Sequence, residues 1–345
     1  MDIEKSIAVF ESFIPKEIRE DINLTDISYN GKHLFVTDNI KGTHKANLNI
    51  SQQEALSFVR QIANLMEKQF SYTHPFINVS FGRYRLSAAY QSIGIIDDMN
   101  TLTFSVRFAQ SVSLIDKESN FLNKKIIVIL LRILSLRESI VICGAAGSGK
   151  TELLKYLINL IPLNDKGIIL DNTGELSFDN EKNLIMWRFD DLNATSSLNT
   201  LIKNALRNNP TWFIVSETLG EEMSEILNAV MTGHSLITTF HSRDALSAPK
   251  RMARLISKHS LNINVKHTLD DINYHIHFYI FLDKKDGENG TERFIESISY
   301  CDEKGHFYEL VKRNGDSYLY FDWPDFMKLS DDILQIDMKG ENNND

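Results

Sequence analysis

The chain has 345 residues, is 43 % hydrophobic and 24 % charged, and carries a formal net charge of −9. That length exceeds what one compact core usually holds, so two domains are expected in a globular protein. Two cysteines, Cys143 and Cys301, exclude a disulfide scaffold and fit a cytoplasmic setting, and the negative balance argues against nucleic acid or an anionic membrane as a direct ligand.

The opening "MDIEKSIAVFESF" has early acids and no cleavable apolar core, so no signal peptide is expected. "SQQEALSFVRQIANLMEKQF" (51–70) has helical spacing behind a Ser N-cap. "FINVSFGRYRLSAAYQSI" and "TLTFSVRF" alternate as strands do. Residues 1–112 therefore form an expected α+β domain. "AQSVSLIDKES" sits at the join, and a linker is placed over 113–122.

From 123 to 345 the pattern changes to alternating helix and strand, which means βαβ units around a mostly parallel sheet. The apolar run "IIVILLRILSL" is short and interrupted by Arg132, so it reads as a buried helix and not as a membrane span. "SIVICG" is a buried strand, "GKTELLKYLINLI" a helix, and "KGIILDNT" and "NLIMWRF" strands. "SSLNTLIKNALRNN" is a helix, "TWFIVSE" a strand, "EEMSEILNAVMTG" a helix and "SLITTFH" a strand. "HIHFYIFL", "RFIESISY", "HFYELVKR" and "SYLYFDW" read as antiparallel strands before a polar tail. His275 and His277 fall on one face of the first of these, without Cys or acid partners at ligand spacing, and read as surface residues.

"GAAGSGKT" (Gly144, Ala145, Ala146, Gly147, Ser148, Gly149, Lys150, Thr151) fits the phosphate-loop pattern G-x-x-x-x-G-K-[ST] in full, between an apolar strand and a helix. Small residues let backbone N–H groups turn inward around phosphates, and the helix N-terminus adds its positive end. Lys150 would reach the β- and γ-phosphates of a nucleoside triphosphate, Thr151 would hold Mg²⁺, and Glu152 follows in the same turn. The alternative is a plain glycine-rich turn. Cys143, just before the loop, reads as a small core residue.

Asp171, Asn172 and Glu175 follow the next strand, Glu217 ends "TWFIVSE", and His234 and His241 flank "SLITTF". Ligands of open α/β sheets gather at the carboxyl ends of strands. In this order the segments resemble the secretion ATPases of type II and type IV systems, which include type IV pilus and conjugation motors. The resemblance covers roughly residues 70–260, including "GRYRLSAAYQ" and Arg107. It implies a RecA-like ATPase domain with a C-terminal β extension, preceded by a smaller α+β domain that closes over the nucleotide. It further implies Glu217 as the water-orienting or metal-supporting carboxylate, Glu175 as a second acid acting on Mg²⁺, and Asp171 as a helper. His234 and His241 become γ-phosphate sensors, with a satisfied core or loop histidine as the other reading. Arg83, Arg85 and Arg107 become phosphate-approaching arginines, against ordinary strand-surface arginine. Arg83 and Arg85 share a face if both lie in one strand. Arg207 matches an arginine that precedes the family's Pro, and its other reading is a cation at a helix C-terminus.

The family usually has Asp, Gly and Arg where Thr211, Ser216 and Leu219 stand, and Glu-Asp where Asp171-Asn172 stand. The four-cysteine insert of some type II motors is absent. The resemblance therefore implies a divergent ATPase, a homo-oligomeric hexameric ring in the cytoplasm. It would be bound to the membrane only through inner-membrane platform proteins and powers a secretion, pilus or conjugation apparatus. A weakly hydrolysing nucleotide-binding scaffold of the same apparatus is the alternative. A P-loop kinase lacks a recognisable acceptor pocket and lid, and a DNA translocase is disfavoured by the charge.

Overall fold

The computed structural model describes residues 1–21, 23–38, 41–108, 115, 121–171, 174, 176–189, 197–218, 220, 222–258, 264–287 and 290–328. Asn172, Glu175, Leu219, most of the linker and the polar tail from 329 lie outside these. The chain divides into two compact units. One comprises Met1–Leu114, Asp171–Ser177 and Lys284–Glu292, and the other Ile115–Leu170, Phe178–Asp283 and Arg293–Asp345.

The first unit carries α1 (Ile3–Phe13), α2 (Lys16–Arg19), β1 (Leu24–Tyr29), β2 (Leu34–Asp38), β3 (Gly42–Lys45), α3 (Gln52–Leu65), β4 (Phe76–Phe81), β5 (Tyr84–Ala89), β6 (Ile95–Ile96), β7 (Met99–Asn100) and β8 (Thr103–Phe108). Its six-stranded antiparallel sheet runs β3-β2-β1-β8-β5-β4. Ser51 caps α3 through a reciprocal bond with Glu54, so the helix starts where the capping box places it. The apolar faces of α1 and α3 meet the sheet in an aromatic core of Phe10, Phe58, Phe81, Tyr84, Phe104 and Phe108.

The second unit carries, in whole or in greater part, α4 (Lys124–Ser135), β9 (Ile140–Gly144), α5 (Lys150–Leu160), β10 (Gly167–Asp171), β11 (Leu184–Arg188), α6 (Leu198–Leu206), β12 (Trp212–Thr218), α7 (Met223–Met231), β13 (Ser235–Phe240), α8 (Ala248–Lys258), α9 (Val265–His275), β14 (Phe278–Gly287), β15 (Gly290–Cys301), β16 (Phe307–Asn314) and β17 (Ser317–Tyr320). The nine-stranded sheet runs β11-β10-β12-β13-β9-β14-β15-β16-β17. β10, β12, β13, β9 and β14 pair in parallel. β15, β16 and β17 are antiparallel. Strands β9, β10 and β13 are buried at every position, as a parallel sheet with both faces covered requires. No helix among the described residues is long and apolar enough to cross a membrane.

β14 is not part of the antiparallel set at its start, because Phe278–Leu282 runs parallel to β9. His275 and His277 do not share a strand face: His275 ends helix α9, and His277 is half-buried with Nδ1 3.0 Å from a Glu138 carboxylate oxygen.

A buried anchor fixes the amino end of β12. The indole N–H of Trp212, itself fully buried, donates to Asp165 Oδ2 at 3.0 Å, and Arg137 holds Oδ1 at 2.7 Å. Asp165→Ala leaves that N–H without its acceptor. It is expected to cost about 2–3 kcal/mol, read as a lower urea midpoint, whereas Asp165→Asn, which keeps an acceptor, costs less. An unchanged midpoint in the alanine variant contradicts this account.

Candidate functional site

The phosphate loop joins β9 to α5. Gly144 lies beside β14, and a Cβ there would come within 2.5 Å of the Leu282 carbonyl oxygen and of Ser148 Oγ, so no larger residue fits. Gly149 takes φ +93° as the residue before the helix, a left-handed conformation that glycine adopts without cost. The loop folds around its own lysine. Lys150 is buried, and its ammonium donates to the carbonyls of Gly144 (3.1 Å) and Ala145 (2.7 Å). Ser148 is also buried, with Oγ donating to Ala145 O at 3.0 Å. Thr151, the second residue of the helix, is at intermediate exposure, and Glu152 is turned to Lys155, 2.8 Å away. Burial pushes the Cys143 thiol well above the usual range, so it sits in the core as an inert residue.

Glu217 and His241 come to this loop from neighbouring parallel strands. β12 pairs with β13, which pairs with β9, so the carboxyl ends of all three lie side by side. The register between β12 and β13 slips between Val215 and Thr218, putting one extra residue on β12 around Ser216-Glu217. Such a bulge redirects a side chain that strict alternation would leave in the core. The bulge is held by Thr239 Oγ1 donating to Ser216 O at 2.6 Å and by a 2.7 Å contact between the Thr218 and Thr238 hydroxyls. Glu217 Oε1 then lies 2.7 Å from His241 Nε2, and His241 Nδ1 lies 3.4 Å from Lys150 Nζ. An ammonium only donates, so Nδ1 is the acceptor, and the imidazole proton sits on Nε2 facing the carboxylate. Lysine, histidine and glutamate thus form one hydrogen-bonded line.

The structure does not bring His234 to this line. It precedes β13 while His241 follows it, which separates them by roughly 20 Å of strand. His234 Nδ1 bonds to Pro210 O at 2.7 Å. Arg207 is the C-cap of α6, before the amino end of β12, where a cation complements the helix dipole. Asp171 is fully buried in the first unit's segment and accepts from Leu176 N at 3.4 Å.

Among the first unit's arginines, Arg83 and Arg85 do not share a strand face. Gly82 takes φ +55° and, with Arg83, makes the two-residue turn between β4 and β5. The Arg83 guanidinium lies over Tyr84 and Phe108 and donates to Arg19 O at 3.2 Å. Arg85 instead pairs across β5 and β8 with Arg107, whose Nε is 3.2 Å from Asp26.

One contact at the loop carries no sequence motif. Arg293 of β15 donates from Nε to Gly147 O at 2.8 Å. Among the described residues no group of three or more His, Cys, Asp and Glu side chains is placed to hold a metal.

Residues 105–273 match the family model described as "Type II/IV secretion system protein". An uncharacterized protein of Bacillus anthracis is 30 % identical over 273 residues, 77 % of this chain and 60 % of its own length. The type IV secretion system protein VirB11 of Brucella suis biovar 1 (strain 1330) is 25 % identical over 185 residues, 50 % of this chain and 49 % of its own length. The chain thus spans about half to three-fifths of these relatives. Among solved structures, the Legionella pneumophila ATPase DotB aligns with TM-score 0.59 at 20 % identity, covering 88 % of this chain and 81 % of its own. The pilus retraction motor PilT with bound ADP aligns with TM-score 0.58 at 21 % identity, covering 87 % and 82 %. These two likenesses establish the shared mixed α/β fold. The matched segment contains the phosphate loop, the bulged strand and His241, and by that match residues 105–273 belong to the type II/IV secretion system protein family.

Proposed function

We propose that this chain binds ATP at Gly144–Thr151 and hydrolyses it, as the motor of a membrane-embedded secretion, type IV pilus or conjugation apparatus. The line Lys150–His241–Glu217 beside the loop carries this reading. Lys150 would exchange the Gly144 and Ala145 carbonyls for β- and γ-phosphate oxygens, while the loop amides and the start of α5 receive the rest of the chain of phosphates. Glu217 holds a carboxylate where the terminal phosphate would lie, and phosphoryl transfer needs such a group to orient water more than it needs a strong base. His241 fixes the angle of that carboxylate.

By family, Mg²⁺ would be held mainly by phosphate oxygens and water, with the Thr151 hydroxyl, and Glu217 or Glu175 through water, as the protein's share. Bound there, the ion neutralises charge developing on the phosphates. By family, Arg83 and Arg107 serve as phosphate contacts, whereas His234 and Arg207, before the amino ends of β13 and β12, are given no part in nucleotide contact. The working form is a hexameric cytoplasmic ring engaged with inner-membrane platform proteins.

The test is phosphate release by the purified chain, with particle size followed in ATP and Mg²⁺. Release that needs Mg²⁺, together with ring-sized particles, is expected. A strictly monomeric chain with no release above the blank overturns the proposal.

A further inference from the structure

We infer that Arg293, on the C-terminal sheet, is a positioning residue for nucleotide binding: it locks the Gly147–Ser148 peptide with its N–H turned into the phosphate loop. The inference rests on the nucleotide-binding role proposed above. No peptide in the described chain is cis, so the carbonyl and the N–H of this unit point in opposite directions. Arg293 Nε holds the carbonyl of Gly147 from one side at 2.8 Å. The N–H of Ser148, on the other side, reaches 3.4 Å from Ala145 O. That oxygen also receives the Lys150 ammonium at 2.7 Å, so the N–H faces the same interior as the lysine. A phosphate oxygen seated beside Lys150 would meet this N–H.

The lock matters because the preceding residue is Gly147 at φ +74°. Glycine populates both signs of φ, so the peptide it begins rotates more freely than one begun by a residue that carries a Cβ. Rotated, it would present a carbonyl oxygen to the phosphates in place of a donor. A guanidinium donor is charge-assisted and keeps its fork in a fixed plane, which suits holding one carbonyl in one direction. The Arg293 side chain also packs where it can do this. Its Cδ lies 3.7 Å from the position of a Cβ on Gly149, beside the Phe121 ring, and so flanks the second half of the loop.

The experiment uses the full chain and titrates ADP and ATP by fluorescence, with steady-state turnover and thermal unfolding measured alongside. Arg293→Ala is expected to weaken ADP binding and raise KM for ATP on the order of tenfold, with kcat within about twofold of wild type. Arg293→Lys, which can still donate to the Gly147 carbonyl, is expected to recover most of the affinity, and Arg293→Gln, a neutral donor, part of it. An unfolding temperature like that of wild type separates this from loss of structure. If the alanine variant does not fold, the lysine and glutamine variants carry the same comparison. Wild-type affinity in Arg293→Ala overturns the inference while leaving the proposed function standing. A fall in kcat at unchanged KM also overturns it. Wild-type protein that binds neither nucleotide overturns both.

Discussion

Lys150→Ala is expected to reduce ATP turnover to background, a loss on the order of 10³-fold at saturating nucleotide. The lysine is the one cation that the loop encloses in its own backbone, bonded at once to Gly144 O, Ala145 O and His241 Nδ1. Alanine removes the charge aimed at the phosphates and also frees the Nδ1 side of His241, so the carboxylate of Glu217 loses its orientation. Two failures then fall on one substitution. The fold should survive, because the apolar core around β9, β12 and β13 does not include Lys150. Phosphate release is the readout, with circular dichroism confirming the native state. Turnover retained in a folded Lys150→Ala chain would remove the assignment as a phosphate-loop hydrolase.

Glu217→Gln isolates the chemistry. The amide has the shape of the carboxylate, and its oxygen can accept the proton on His241 Nε2, so the hydrogen-bonded line is kept. Only the charge that orients water is lost. Turnover should fall on the order of 10²–10⁴-fold while ADP affinity changes by no more than about threefold. Equal inertness of the wild-type and glutamine chains, with nucleotide still bound, would instead establish a switch or scaffold that does not turn over.

The parts of this site that could be read along the chain are those in which local pattern and position coincide. Gly144–Thr151 needs small residues at set offsets between a buried strand and a helix, and β9 and α5 supply that frame. Glu217 stands where an apolar run meets polar residues, which marks a strand end. The rest depends on which strands are neighbours. Period-two alternation in "HIHFYIFL" does not reveal that the strand runs parallel to β9, and the two histidines spaced like strand neighbours fall where helix α9 gives way to β14. The bulge at Ser216-Glu217 is a mismatch between two strands, so neither strand's own residues announce it. Alternation runs unbroken through the two-residue turn at Gly82-Arg83, so it does not mark Arg83 as lying outside the strands. Helices α1, α8 and α9 carry apolar spacing that only packing makes decisive. Arg293 has no motif at all, since its meaning comes from a carbonyl about 150 positions earlier.

The place of β14 has a consequence for how the molecule is made. The phosphate-loop strand lies between β13 and β14, and β14 begins about 140 residues after β9. At roughly 5–20 residues per second, a nascent chain holds β9 with one flank open for on the order of ten seconds or more. During that interval an apolar strand presents unpaired backbone groups, the feature that invites pairing with another chain. Residues 278–282 therefore act as a late keystone: they close the sheet, and through the Leu282 carbonyl they crowd Gly144 into its final shape. Ribosome-bound or truncated chains that stop before Phe278 should need a chaperone to stay soluble, even though they contain the whole segment matched by the family.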